Sequence, residues 1–444
     1  MTPSSGDTAW VLTSAALVLL MTPGLALFYG GMVRAKSVLN MMMMSFGALG
    51  LITVLWTLYG YSLAFGDDVV GGLIGNLDFV GLEGLLSAAP LGGVEGEAAG
   101  LPPLAFVGFQ AVFAIITVAL ISGAIADRAK FGSWMVFAGV WATLVYFPVA
   151  HWVFSFDGYT AEVGGWIAND LKAIDFAGGT AVHINAGAAG LALALVLGKR
   201  IGFGKEALRP HNLTLVMIGA GLLWFGWFGF NAGSALGAGD VAAVAWINTL
   251  VATAAASLAW CATEKIRDGH ATSLGAASGV VAGLVAITPA CSAVNPVGAI
   301  LVGAIAGVLC ALAVSLKFKL GYDDSLDVVG VHLVGGIVGT LLIGLLATSA
   351  APAGVDGLLY GGGVDQLWRQ AVAAGAVLAY SFVLAYLIGK VIEKTIGFRL
   401  DAESEVSGVD LRTHAESAYE LGSFTGSGFH TGTGVTSAKE KVDA

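Results

Sequence analysis

Long apolar runs separated by short polar connections dominate this chain, and the length of the runs decides what they are. A helix needs about 20 mostly apolar residues to cross a bilayer. Runs of that size occur eleven times, roughly at 10–33, 41–65, 103–126, 131–154, 178–198, 211–234, 241–263, 272–289, 296–316, 328–349 and 368–392. The pattern predicts an all-α polytopic membrane protein with eleven transmembrane helices. The segment Met1 to Trp10 lacks the basic start of a secretory signal, and no A-x-A cleavage site follows, so the first run is expected to be a retained span.

The connections between these runs alternate in charge. Arg34 and Lys36 follow the first run, Arg128 and Lys130 the third, and Lys199, Arg200, Lys205 and Arg209 the fifth. Lys265 with Arg267, then Lys317 with Lys319, continue the series. The opposite connections at 66–102 and 350–367 carry no basic residue, and 155–177 carries only Lys172. In all, 18 of the 20 Lys and Arg fall on one side, with Lys172 and Arg369 the exceptions. The positive-inside rule then places the N-terminus outside and the C-terminus inside.

Composition sharpens the class rather than changing it. The chain is 57% hydrophobic and 11% charged with a mean hydropathy of +0.84, which places it among membrane proteins rather than soluble domains. Cys261, Cys291 and Cys310 each lie in an apolar run, without a CxxC or Cys/His cluster. Neither a disulfide framework nor a metal site is indicated, and nothing in the chain asks for a cofactor. The net charge of -10 includes no basic tract of the kind that binds nucleic acid.

Two histidines break the apolar pattern, and they break it in the same way. His183 has Asp175 eight residues before it and Gly187 and Gly190 four and seven after; His332 has Asp324, Gly336 and Gly339 at the same offsets. An ionisable side chain inside a span is costly enough to mark a functional site. A satisfied core histidine with an incidental Asp accounts for one such pattern but does not predict two. The fifth and tenth runs cross in opposite directions, so the two units read as an inverted repeat of spans one to five and six to ten, whose binding site belongs near the midplane. Asp175 and Lys199 are 24 residues apart, about 36 Å of helix, which puts each histidine within about one turn of the bilayer centre and on opposite sides of it. The two imidazoles are expected to stack there. Gly187 and Gly190 share the helical face of His183 and allow the close helix approach that makes a lumen narrow.

Aromatic residues suggest what enters that lumen. Phe109 and Phe113 share one face of the third run, and the sixth carries Trp224-Phe-Gly-Trp227-Phe-Gly-Phe230-Asn-Ala-Gly-Ser234. Aromatic faces attract a small cation and a hydroxyl such as Ser234 can accept a hydrogen bond from it. Aromatic runs alone are more often core or interfacial belt. No Asp, Glu, Lys or Arg interrupts the middle of any run, so an ion crossing intact has no counter-ion at the centre. Neutral imidazoles offer one donor and one acceptor each. The fitting solute is small, cationic in water and able to travel without its charge.

Asp175-Phe-Ala-Gly-Gly-Thr-Ala-Val-His183-Ile-Asn-Ala, Gly226-Trp-Phe-Gly-Phe-Asn-Ala-Gly-Ser234, Gly198-Lys-Arg-Ile-Gly-Phe-Gly-Lys205 and Asp327-Val-Val-Gly-Val-His332 resemble the ammonium transporter (Amt/Mep/Rh) family, in its bacterial Amt branch, from about Pro23 to Tyr419. The resemblance implies a homotrimer in the cell membrane, each eleven-helix subunit with its own pore. It implies recruitment of ammonium, with methylammonium as analogue, at an outer site of Phe113, Phe154 and Ser234 supported by Asp175. Phe113 and Phe230 match the family's phenylalanine gate, and His183 with His332 match its twin-histidine pair, past which ammonia is conducted with or without its proton. Asp324, Trp227 and Phe109 are expected to support these groups. One departure stands out: where many members carry tryptophan in an Ala-His-x-Val-Trp run, this chain has Ala150-His-Trp-Val-Phe154. Phenylalanine keeps a π face but is the weaker cation partner, so weaker recruitment is expected.

Residues 1–397 are thus expected to form the channel domain and 398–444 a cytoplasmic tail. Gly408 to Tyr419 resembles the family's regulatory tail, which accompanies inhibition by a PII-family signal protein; from Glu420 onward the composition favours disorder. A proton-coupled carrier of a larger solute predicts helix breaks near the midplane; an ammonium sensor keeps the pore and signals through the tail, and is favoured by an appended signalling domain, the 47 residues after Gly397 being too few for a kinase or cyclase; a membrane enzyme using Asp175 and His183 fits a narrow apolar channel least.

Overall fold

The computed structural model describes residues 3–92 and 100–419. The distal tail expected to be disordered lies outside these. Among the described residues there is no β-strand beyond isolated bridges, and ten helical runs are long and apolar enough to span a membrane. They are α1 (Ser5–Met32), α2 (Ala35–Phe65), α3 (Pro103–Ile125), α4 (Phe131–Phe154), α5 (Gly179–Leu197), α6 (Leu213–Gly233), α7 (Asp240–Asp268), α9 (Pro296–Leu320), α10 (Val329–Leu346) and α11 (Asp365–Thr395). The run expected at 272–289 is α8, a 15-residue apolar helix, Ser273–Ile287, ended by Pro289, and the chain continues in tight turns to Val294. Large apolar side chains such as Leu58, Leu258, Val297 and Leu387 lie exposed on the outside of the bundle, the inverse of a soluble surface.

Local chemistry sets the helix limits. Asn212, Thr272 and Asn295 each cap the helix that follows by accepting the backbone N–H three residues on, at 3.1, 2.8 and 2.8 Å, and Pro296 opens α9 where no amide donor is needed. Small residues set how closely the helices approach. A Cβ on Gly219 of α6 would stand 2.4 Å from the amide nitrogen of Phe28 on α1, and one on Gly187 of α5 would stand 2.5 Å from that of Leu333 on α10. With hydrocarbon outside as apolar as the inside, such close backbone contact is a main source of helix association.

Regular helix is interrupted where hydropathy gives no hint. Wide π-helical turns occupy Trp56–Gly60 in α2, Ala142–Tyr146 in α4, Gly179–Ile184 at the start of α5 and Val329–Leu333 at the start of α10. The α4 turn sits just before Pro148, which cannot donate to the Leu144 carbonyl; the Tyr380 hydroxyl of α11 donates to it instead, at 2.8 Å. The turns that open α5 and α10 contain His183 and His332.

The described tail, with short helices α12 (Ala402–Ser407) and α13 (Val409–His414), lies against the connections after α1, α3 and α5. Lys130 donates its amide to Phe398 O and Leu400 donates to Arg128 O, both at 2.9 Å. The Asp410 carboxylate accepts the amides of Leu39 and Asn40 at 3.0 and 2.8 Å, and Glu405 accepts that of Ile201 at 2.6 Å. These are three of the connections that carry basic residues. Among them runs a buried ionic chain in which Asp127 meets Arg34 and Arg200, each at 3.3 Å, and Arg200 reaches Asp323 at 2.9 Å. Burial pushes the Asp323 carboxyl up, but its hydrogen bonds and charge contacts with Arg200 and the charge of Arg128 outweigh burial and hold it below the ordinary carboxylate value.

Candidate functional site

Four recesses follow one another through the bundle. The first is walled by Phe106, Gln110, Phe113, Phe154, Tyr159, Phe176 and Ser234. The second, beyond Phe113, is lined by Val182, His183, Trp227, Phe230, Val281 and His332, with apolar groups from α1 and α3. The third shares Phe28, Val281 and His332 with the second and adds Tyr29, Ser278 and Asp327. Met32, Leu326 and Asp327 belong both to it and to a wide vestibule reached by Arg200, Glu206, Arg209 and Lys317.

A pair of phenylalanines divides the first recess from the second. The rings of Phe113 and Phe230 stack with centroids 4.2 Å apart and planes 28° apart. Phe109 backs Phe113 at 4.9 Å, and Phe154 meets it edge-on at 6.5 Å. Ser234, one turn beyond Phe230, donates its hydroxyl to the Phe230 carbonyl at 2.8 Å, so its lone pairs remain to accept a bond from a solute in the recess.

Immediately past the phenylalanines stand the histidines. Their rings stack with centroids 5.3 Å apart and Nδ1 atoms 3.3 Å apart. Two facing ring nitrogens at that distance share one proton, so in the neutral pair one Nδ1 donates and the other accepts. Nε2 of His183 has no protein partner although the residue is only 1% exposed. Trp227 stacks on His183 at 5.3 Å and is held by its indole N–H on the Thr288 hydroxyl at 2.9 Å.

Each histidine rides on a π-helical turn whose entry is tied by the aspartate eight residues earlier. Asp175 accepts the amides of Gly178, Gly179, Thr180 and Ala181 at 2.8, 2.6, 2.8 and 3.2 Å and also the Thr180 hydroxyl. These are the orphan donors of a helix start, and a carboxylate there also suits the helix dipole. Gly178 turns the chain into the helix at φ 116°, where a side chain would be strained. Asp324 does the corresponding work for Val328 and Val329 at 3.1 and 2.7 Å.

The candidate residues therefore fall in three places. His183, His332, Phe113, Phe230 and Trp227 come together in the middle, Phe154 and Ser234 at the first recess with Asp175 beside it, and Phe109 behind the phenylalanines. Asp324 lies apart from them, toward the vestibule, where Lys317 bonds its carbonyl at 2.9 Å. Phe106 and Gln110 went unread although they extend the face of Phe109 and Phe113 by one turn. Tyr159, on a loop, and Tyr29, held by the Leu120 carbonyl at 3.0 Å, carry no periodic signal.

A helical bundle with an apolar exterior, enclosing a file of recesses constricted by stacked rings, is a multi-pass membrane protein built around a pore-like path. Comparison with known proteins gives the family. A profile described as the Ammonium Transporter Family matches residues 9–419, and the chain belongs to that family. It is 64% identical over 441 residues to an ammonium transporter of Mycobacterium tuberculosis (strain ATCC 25618 / H37Rv), covering 96% of this chain and 92% of the relative. Among solved structures it resembles Saccharomyces cerevisiae Mep2 with a TM-score of 0.82 at 34% identity, over 91% of this chain and 89% of that one. A structure described as a sensor Amt protein matches with a TM-score of 0.84 at 28% identity, over 92% and 98% of the two chains.

Proposed function

We propose that this chain is an ammonium transporter of the cell membrane, acting as a homotrimer in which each subunit has its own pore. In this reading α1 to α11 all cross the bilayer, α1–α5 and α6–α10 are inverted repeats, the N-terminus is outside, and residues 398–444 form a cytoplasmic regulatory tail open to a PII-family signal protein. The names of the relatives support the substrate. The gathering of the tail on the basic connections supports the orientation, since both then face the cytoplasm.

Ammonium is captured in the first recess, where the faces of Phe113 and Phe154 attract the cation and Ser234 accepts a hydrogen bond from it. The second recess has no charged residue among its walls, so passage past Phe113 and Phe230 favours neutral ammonia, an N–H bond of ammonium breaking before it with the proton passing to solvent water in the first recess. Ammonia is then held by the imidazoles, the unpartnered Nε2 of His183 offering the first hydrogen bond. The observation that carries the proposal is the stacked phenylalanine pair followed at once by the stacked imidazole pair in an otherwise apolar path. Expression in a strain lacking its own ammonium uptake tests it. Restored growth on limiting ammonium with saturable methylammonium uptake is expected, and failure of both with the protein present in the membrane refutes it.

A further inference from the structure

The last span, α11, has no partner in the repeat, yet it buries Gln366, Gln370 and Ser381. Burying an amide is costly unless each of its groups is bonded, so a buried glutamine asks what it holds. Gln370 is 0% exposed and is used on both sides. Its Oε1 accepts the Ile174 amide at 2.6 Å and the Gln366 side chain at 2.9 Å. Its Nε2 donates to the Ile174 carbonyl at 2.7 Å and more weakly to the Thr340 carbonyl at 3.3 Å. One side chain thus grips both peptide groups of a single residue in the loop before α5.

Ile174 directly precedes Asp175, which lies beside the first recess, and Phe176, which lines it. Asp175 organises the entry of α5 through four amides, and Phe176 lines the recess with Phe113, Phe154 and Ser234. The same loop is held at Leu171, whose carbonyl accepts from Arg369 at 2.9 Å, and at Phe176, whose amide donates to Pro289 O at 3.2 Å. Between these anchors Lys172 sits at φ 55°, and two residues past the second Gly178 sits at φ 116°, two points where the backbone reverses. A bond made only to fasten α11 to the bundle needs one carbonyl anywhere along its length. Gln370 instead spends its strongest donor and acceptor on the residue next to Asp175.

We infer that Gln370 is a positioning residue for ammonium capture: through Ile174 it sets the placement of Asp175 and Phe176, and with it the affinity of the outer recess. The inference rests on the reading of that recess as the recruitment site. It gives α11 a part in substrate capture in addition to its place in the bundle.

Methylammonium uptake, resolved into half-saturating concentration and maximal rate, tests it with the full chain in membrane vesicles. Gln370→Leu removes all four bonds; Gln370→Glu keeps the acceptor for the Ile174 amide and loses both donors. The half-saturating concentration is expected to rise about tenfold in Gln370→Leu and less in Gln370→Glu, with the maximal rate within about twofold. Ser381→Ala, which loses a buried bond of 2.7 Å from the same helix to the Asn185 carbonyl, is expected to leave the half-saturating concentration unchanged. An unchanged value in Gln370→Leu overturns the inference. So does a failure of both Gln370 variants to fold while Ser381→Ala folds, because that makes the bonds scaffold only. Ser234→Ala reports separately on the recess: a shift there with none at Gln370 overturns the inference alone, and no shift at either overturns the recruitment reading with it.

Discussion

The two Asp–His units share their spacing and their π-helical turns but not their surroundings. Asp175 accepts four amides and a hydroxyl, and its loop is held by Gln370 and Pro289 beside an aromatic recess. Asp324 accepts two amides and sits at a polar vestibule, with Lys317 bonded both to its carbonyl and, at 2.6 Å, to Asp327. The shared part places two imidazoles face to face. In the proposed reading, the unshared part suits one end to capture and the other to release. Two units of the same spacing are thus set apart by a handful of flanking side chains.

Removing each aspartate tests that asymmetry most severely. Asp175→Ala orphans four buried amides at about 1–3 kcal/mol each and frees the Thr180 hydroxyl, and methylammonium uptake is expected to fall well over tenfold. Asp324→Ala orphans two and is expected to retain most of the uptake. Equal losses would mean that the units are functionally alike.

Next in size is a pH effect in the second unit. Burial, reinforced by Asp327, pushes the Asp324 carboxyl in the loop before α10 up to about 6, against the opposing pull of Lys317 and the two amides. The folded protein therefore keeps this proton through a range where the unfolded chain has lost it. Its stabilising contribution is complete below about pH 4 and is lost as the pH rises through about 6. Thermal unfolding of wild type and Asp324→Asn from pH 4 to 7.5 is expected to show the variant gaining on wild type as pH rises, by up to a few kcal/mol. A constant difference across that range contradicts it.

The smallest expected effect concerns the wall of the capture end. Phe154→Trp restores the stronger π partner, worth about 0.5–1 kcal/mol, so the half-saturating methylammonium concentration is expected to fall a few-fold with the maximal rate little changed. An unchanged or weaker affinity removes cation attraction from the role of this residue.

Much of this arrangement was legible before any coordinates. Ten of the eleven apolar runs match long helices because the length of an apolar run is set by the hydrocarbon thickness, and the paired spacing of His183 and His332 marked the two residues that stack. The π-helical turns were not legible, since a one-residue widening leaves hydropathy untouched. Nor was the end of α8 at Ile287: the apolar run reads through to Pro289 while the helix stops two residues earlier. Gln370 was missed for a related reason, because a lone glutamine in an apolar run shows neither period nor motif, and its partner lies 196 residues away. Asp410 capping α2 is the same kind of contact, joining sites 370 residues apart.

The central claim is that ammonium crosses through the lumen closed by Phe113 and Phe230 and lined by the paired imidazoles. Its most direct test compares purified wild type with a His183→Ala, His332→Ala double variant in planar or supported bilayers, recording ammonium-driven current against potassium and measuring methylammonium uptake in parallel. The account predicts that wild type responds to ammonium and excludes potassium, and that the double variant loses current, uptake or this discrimination by more than about tenfold. A wild type that passes potassium as readily as ammonium, or a double variant unchanged in all three respects, contradicts it.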